Sequence, residues 1–239
     1  QNIPPEVKDM FPIMVDYKRN TSYSVEKVNG ITVSNLYLSE SLSEDQLTHV
    51  MNSIYRLQNC KVKDDKDLNI LYNYHEKMSN RFNNYDYSKY YNFKETYDDI
   101  CEGLKKYKGC KTVIHGDPVF TNILINDYGK IKFIDMRGKI GNTLTIQGDY
   151  LYDWAKVYQS LIGYDEIHEG KYISDQYKSK MIQCFYDRFV QFYGERDWEN
   201  LKTITKSLLY SLIPLHNNKK CVDYYELIKS IYLNNSYDV

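Results

Sequence analysis

The chain divides by the period of its apolar positions. At the start the pattern is extended: Ile13-Met14-Val15 is a short apolar run after Pro12, and Tyr23 to Val28 alternates before a turn signal at Asn29-Gly30. Two strands joined by a short connection fit this stretch, and residues up to about 40 read as extended. From Ser43 the spacing changes. Leu47, Val50, Met51, Ile54 and Leu57 recur at helical period, and Ser43 with Gln46 has the spacing of a capping box. The charged run Lys61 to Asp67 breaks this helix, and further helical stretches are expected over roughly 66–82 and 90–107.

Residues 112–140 have another character. Thr112-Val113-Ile114, Ile123-Leu124-Ile125 and Ile131 to Ile134 are β-prone runs, with a turn signal at Asn126 to Gly129. Helical patterns then return at about 149–163, 173–193, 197–212 and 221–233, and Pro214 is expected to separate the last two. The pattern predicts a small β-rich N-terminal piece and a mostly helical body with one hairpin inserted.

Composition narrows the function classes. The 239 residues suffice for a sizeable core, and 42% hydrophobic with 26% charged residues is an ordinary globular profile. A net charge of -1 gives no electrostatic argument for nucleic acid or an anionic membrane. No apolar run reaches the length of a membrane span, and no signal peptide is visible. Five scattered cysteines without a C-x-x-C pair fit reduced cytoplasmic thiols better than a zinc site or a disulfide framework. The 26 tyrosines accompany abundant Asn, Lys and Ile. They read as a compositional bias that needs no ligand, rather than as a sugar-stacking platform.

The chemistry concentrates in Val113-Ile-His-Gly-Asp-Pro-Val-Phe-Thr-Asn-Ile-Leu-Ile125. Its flanks are aliphatic, while its centre holds an acid and an amide that are costly to bury without partners. A hairpin through the turn at Asn126 returns the chain at Asp135 to the side where Asn122 sits. Asp117, Asn122 and Asp135 would then converge at one end of a small β element. Two carboxylates and an amide carbonyl suit a hard cation such as Mg2+, which with few protein ligands usually arrives with phosphate. An acid not fully used by the metal can accept a proton from an attacking hydroxyl, as in phosphoryl transfer.

His115-Gly116-Asp117, Asn122 and Ile134-Asp135, followed by Gly148 to Val157 ("GDYLYDWAKV"), resemble the aminoglycoside phosphotransferase and choline kinase family of the protein-kinase-like fold. The resemblance covers roughly 23–165. It implies an α+β fold with a mostly helical C-terminal lobe, a catalytic β-hairpin and a truncated β-rich N-terminal lobe. Residues 1–30 would be the remnant of that lobe with the joining segment, and 31–239 the helical lobe. By the same resemblance Asp117 is the catalytic base, and Asn122 with Asp135 holds Mg2+. The backbone of Glu26, Lys27 and Val28 would receive the base of ATP or GTP. His115 would pack beneath the metal-binding segment, and Asp149 or Asp153 would anchor the catalytic loop from behind. For Asp153 the competing reading is a carboxylate complementing a helix N-terminus. Arg137 could touch a phosphate or an anionic substrate, or pair with a surface acid.

Two features depart from the family pattern. No glycine-rich hairpin and no phosphate-pairing strand lysine are found, since Gly30 is the only glycine before Gly103. In addition, Arg137 stands two residues after Asp135, where protein kinases have glycine. The expected activity is Mg2+-dependent transfer from a nucleoside triphosphate to a hydroxyl of a small metabolite: a sugar, an amino alcohol or an aminoglycoside. The competing class is a catalytically silent kinase-like binding module, one domain of a longer chain with another domain upstream of Gln1. A protein kinase is disfavoured, because no A-P-E follows Asp135.

Overall fold

The computed structural model describes residues 3–18, 21–62, 67–216 and 219–233. Two strands, β1 (Met14–Lys18) and β2 (Ser22–Val25), form an antiparallel hairpin near the N-terminus. Its apolar side chains, among them Met14, Val15 and Tyr23, are exposed. The next strand, β3 (Gly30–Thr32), belongs to a different sheet. It pairs with β5 (Ile123–Asn126), which in turn pairs with β6 (Ile131–Phe133). Gly30 therefore groups with the later hairpin and not with the segment before it. Ile123, Ile125, Ile131 and Phe133 alternate inward along β5 and β6, so the hairpin's buried face is fixed by its sequence.

A short helix, α1 (Val33–Leu38), follows where the sequence pattern predicted extended chain. Thr32 caps it, its hydroxyl accepting from the Asn35 amide at 3.1 Å. The β-branched run Ile31-Thr32-Val33 masked this start. Helix α2 (Glu44–Gln58) forms as its apolar period demands, with Leu47, Val50, Met51, Ile54 and Leu57 buried. Both halves of its capping box are present: the Gln46 amide donates to Ser43 Oγ at 3.1 Å, and the Ser43 amide to Gln46 Oε1 at 2.9 Å.

The charged run after α2 lies largely outside the described residues. The helix expected from about 66 begins only at α3 (Glu76–Asn84). Ahead of it Asn69 turns the chain, its side-chain oxygen accepting from the Leu71 amide at 3.2 Å. Then come α4 (Phe93–Leu104) and β4 (Lys111–Val113). Strand β4 pairs with β9 (Gln147–Asp149) rather than with the neighbouring hairpin, and β7 (Lys139–Ile140) and β8 (Thr143–Leu144) form a small ribbon between them.

The C-terminal body is helical: α5 (Leu151–Gln159), α6 (Asp165–Glu169), α7 (Asp175–Tyr193), α8 (Glu195–His216) and α9 (Lys220–Leu233). A π turn over Ser160–Tyr164 joins α5 to α6, and Gly163 sits there at φ +137°. Trp154 of α5 is fully buried against Phe185 and Phe189 of α7. Its indole N–H donates to Gln58 of α2 at 2.9 Å, and that amide in turn donates to the Tyr150 carbonyl at 2.7 Å.

One further expectation is corrected. Pro214 does not separate helices; it lies inside α8. The carbonyl it frees four residues earlier, at Tyr210, accepts the Tyr87 hydroxyl at 2.9 Å, so the lost ladder bond is replaced. Many of the tyrosines serve the core: Tyr37, Tyr74, Tyr87, Tyr152, Tyr158, Tyr210, Tyr224 and Tyr225 are buried. Buried rings need a partner for the hydroxyl, and Tyr37 finds one in the Leu161 carbonyl at 2.6 Å.

Candidate active site

The loop between β4 and β5 is held at its backbone. Asp153, in the first turn of α5, accepts from the His115 amide at 2.7 Å and the Gly116 amide at 2.8 Å. Gly116 adopts φ +86°, and a Cβ there would stand 2.8 Å from the Cβ of Arg137. The chain can pass at that distance only without a side chain. The His115 carbonyl accepts the Arg137 amide at 3.0 Å, so the loop and the segment after β6 are tied together. Beyond Asp117 the chain makes one 3-10 turn, Phe120–Asn122, which the Ser160 hydroxyl fastens by accepting from the Phe120 amide at 3.1 Å.

These ties bring the polar residues together. Asn122 donates from Nδ2 to the Asp117 carbonyl at 2.9 Å, which leaves its Oδ1 as an acceptor. The Ile134 amide donates to the Asn122 carbonyl at 3.0 Å, which sets Asp135 beside Asn122. Asp135 is exposed and takes φ +56°, a left-handed conformation that is uncommon away from glycine. An amide oxygen and a carboxylate form an oxygen-only set suited to a hard cation that keeps waters and phosphate oxygens as its other ligands. Among the described residues no cluster of three or more His, Cys, Asp or Glu is built to hold a metal without such help.

Charge surrounds Asp117. Lys156, one turn beyond Asp153 on α5, places its Nζ 3.0 Å from Asp117 Oδ1. Burial raises the Asp117 carboxyl, but the Lys156 ammonium and the Arg137 guanidinium outweigh it and hold the group below the ordinary carboxylate range. Asp117 is therefore ionised at neutral pH. Burial pushes His115 down to about 4, so its ring is neutral; its Nδ1 accepts from the Asp117 amide at 3.2 Å, and the ring packs near Phe11 and Phe133. Burial raises Asp153 to about 7, opposed by the amides of His115 and Gly116. Arg137 donates to the Tyr152 hydroxyl at 2.5 Å.

The remaining sequence-predicted residues lie further off. Asp149 does not touch the loop. It accepts from the Tyr74 hydroxyl at 2.7 Å, from Tyr107, and from the Cys110 amide at 2.9 Å, and so fastens the approach to β4. Burial raises it to about 6 against those bonds. Glu26, Lys27 and Val28 run between β2 and β3, outside both sheets. The Glu26 carboxylate pairs with Lys132 of β6 at 2.9 Å, next to the strand end that delivers Asp135. Sequence reasoning missed Lys156, Tyr152 and the α3 cations Lys77 and Arg81. The spacing of Asp153 and Lys156, three apart on one helix face, was the only local signal.

No family model and no curated protein matches this sequence. Solved structures do match. A thermostable mutant of aminoglycoside phosphotransferase APH(4)-Ia, in ternary complex with AMP-PNP and hygromycin B, superposes with a TM-score of 0.65 at 13% identity, over 97% of this chain and 81% of that one. A choline/ethanolamine kinase family protein from Mesorhizobium loti gives 0.57 at 8% identity, over 98% and 76%. Choline kinase LicA from Streptococcus pneumoniae gives 0.56 at 10%, over 95% and 77%. The fold is that of the protein-kinase-like small-molecule kinases: a mostly helical C-terminal lobe with small antiparallel sheets. Among the described residues no helix is long and apolar enough to cross a membrane.

Proposed function

We propose that this chain is a Mg2+-dependent small-molecule kinase that transfers the γ-phosphate of ATP or GTP to a hydroxyl of a small metabolite. The observation that carries the reading is the tie between loop and hairpin. Asn122 bonds the Asp117 carbonyl, and Ile134 bonds Asn122, so the ionised Asp117, the free Asn122 Oδ1 and Asp135 share one edge. Asp117 would orient the acceptor hydroxyl and take its proton. Asn122 and Asp135 would hold Mg2+, which supplies charge neutralisation at the phosphates. Asp153 keeps the loop amides in place, and neutral His115 supports the Asp117 amide from below. The segment Glu26 to Val28, fixed through Lys132, is the candidate seat for the nucleotide base. The structural neighbours support this reading, since two of them are complexes of an aminoglycoside phosphotransferase with AMP-PNP or ADP and hygromycin B.

A second reading is a silent kinase-like binding module in the cytoplasm. It is favoured by the two-stranded sheet β1–β2, which precedes the joining segment and contains no glycine to cradle a phosphate. One experiment separates the two. A metabolite panel is incubated with ATP or GTP and Mg2+, using the parent and Asp117→Asn. Phosphorylation by the parent that disappears in the variant, with both equally folded, is the expected result. Equal turnover in both removes Asp117 from the mechanism, and nucleotide binding without any turnover favours the silent module.

A further inference from the structure

The surroundings of Asp117 carry a charge that the substrates of choline kinases and aminoglycoside phosphotransferases do not call for. Choline is a cation and aminoglycosides are polycations, so a site for either would present acids or bare aromatic faces. Here the groups around the candidate base are cations from three separate elements. Lys156 of α5 lies 3.0 Å from Asp117. Arg137, from the loop after β6, lies with its guanidinium carbon 5.3 Å from the centre of the Tyr152 ring, and Lys156 Nζ lies 6.0 Å from the same centre. Helix α3 adds Lys77 and Arg81: Tyr74, just ahead of it, stacks on the same Tyr152 ring with centres 6.0 Å apart, and the helix packs on α8, where Arg81 donates to the Ser211 carbonyl. Lys77 feels this crowd: burial lowers its ammonium to about 7, and Arg137, Arg81 and Lys156 lower it further, against Asp117 alone. A histidine near the C-terminal end of α8 shows the same influence. His216 is lowered by burial and then by His168, Lys220 and Lys156.

The nearby acids do not balance this. Asp165 and Glu166 are fully buried. Glu166 pairs with Lys178 at 2.6 Å, and burial raises Asp165 towards its neutral form. Asp153 spends its oxygens on the loop amides. Three cations, Arg81, Arg137 and Lys156, and the partly protonated Lys77 therefore stand against two carboxylates, Asp117 and the exposed Asp135, and like charges gathered in this way call for a counter-anion. They come from α3, α5 and the loop after β6, whereas the candidate nucleotide segment at Glu26 to Val28 sits against Lys132 on β6.

We propose that the acceptor is an anionic alcohol, a compound carrying a phosphate or a carboxylate close to the hydroxyl that is phosphorylated, with Lys77, Arg81 and Arg137 holding its anionic group beside Asp117. The inference rests on the kinase reading of the site. The step balances within that reading. The acceptor oxygen forms a bond to the γ-phosphorus, the bond from that phosphorus to the β,γ-bridging oxygen breaks, the hydroxyl proton goes to Asp117, and the nucleoside diphosphate leaves.

The test has a binding arm and a turnover arm, each with ATP and Mg2+ or a non-hydrolysable ATP analogue. The panel contains sugar phosphates, hydroxy acids, the matching neutral sugars, choline and an aminoglycoside. Anionic alcohols alone should raise the melting temperature and be phosphorylated, and comparing sugar phosphates with hydroxy acids identifies which anion is held. Lys77→Met should then raise KM for the anionic acceptor by roughly ten- to a hundredfold, the scale of one charge-assisted hydrogen bond, with KM for ATP little changed. Lys77→Arg should recover most of the loss. Preference for choline, the aminoglycoside or a neutral sugar overturns the proposal. So does a Lys77→Met effect confined to KM for ATP, which would assign the cations to the nucleotide's phosphates. Selective binding of anionic alcohols with no turnover and no nucleotide binding would sink the kinase reading while leaving the anion site standing. Binding of no anionic member of the panel overturns the anion site itself.

Discussion

Replacing Gly116 by alanine tests whether the loop is held as tightly as its contacts imply. Gly116 sits at φ +86°, where an L-residue is strained by about 1–2 kcal/mol. The new Cβ would also meet the Arg137 Cβ at 2.8 Å. Ordinary carbon contacts lie at about 3.5–4.0 Å, and a Cβ cannot swing aside without its backbone. Overpacking of this kind adds about 1–3 kcal/mol. The sum, about 2–5 kcal/mol, is a large share of the ~5–15 kcal/mol typical of a folded domain. Gly170→Ala is the internal control: φ there is +67°, but no atom stands within 4 Å of the added Cβ. It should lose only the backbone part, about 1–2 kcal/mol. Urea unfolding of the two variants and the parent, followed by circular dichroism, measures the difference. With a slope of about 2–3 kcal/mol per molar urea, Gly116→Ala should lower the midpoint by roughly 1–2 M. Because the clash pushes on Arg137, the same variant should lose turnover in the assay that identifies the acceptor. If Gly116→Ala is no more destabilising than Gly170→Ala, the close approach of the two segments is wrong, and with it the positioning of Asp117 against Arg137.

Further outcomes follow from the same contacts. Asp135→Ala should remove the Mg2+ enhancement of ATP or GTP binding, because one of the two proposed protein ligands is lost; isothermal titration with Mg2+ and with EDTA checks this, and equal enhancement in variant and parent contradicts the assignment. Lys156→Met takes away the cation 3.0 Å from Asp117, so the Asp117 pKa rises and the acid limb of the kcat/KM profile moves to higher pH; a limb that stays put or moves lower excludes Asp117 as the group titrating there. Tyr87→Phe leaves the Tyr210 carbonyl without the hydroxyl that replaces Pro214's missing amide, which should cost about 1–3 kcal/mol in urea unfolding. The same change made in a Pro214→Ala background should cost less, since the helix then supplies its own donor.

Local order was legible in the sequence wherever one element carries its own period and its own caps. Helix α2 is the clearest case: its buried stripe and both halves of its capping box can be read before any tertiary contact is known. The hairpin of β5 and β6 was legible for the same reason, since its alternation and its turn residues agree. The order His115, Asp117, Asn122, Asp135 pointed to one candidate site because a hairpin returns its ends to the same edge. Tertiary structure decided everything that depends on residues distant in the chain. Strand β4 takes β9 as its partner across an intervening hairpin and ribbon, a pairing that no local period encodes. Pro214 stays helical because a tyrosine over a hundred residues away satisfies the carbonyl it frees. Asp153 lies in the first turn of α5, where a dipole role and a loop-anchoring role look alike in sequence, and only the fold brings the His115 and Gly116 amides to its oxygens. The cations around Asp117 are the furthest from local reading. Lys77, Arg81, Arg137 and Lys156 come from α3, the loop after β6 and α5, while the net charge of -1 hides them. Charge summed along a chain reports composition; the field at a site depends on which side chains the packing of helices sets beside one carboxylate.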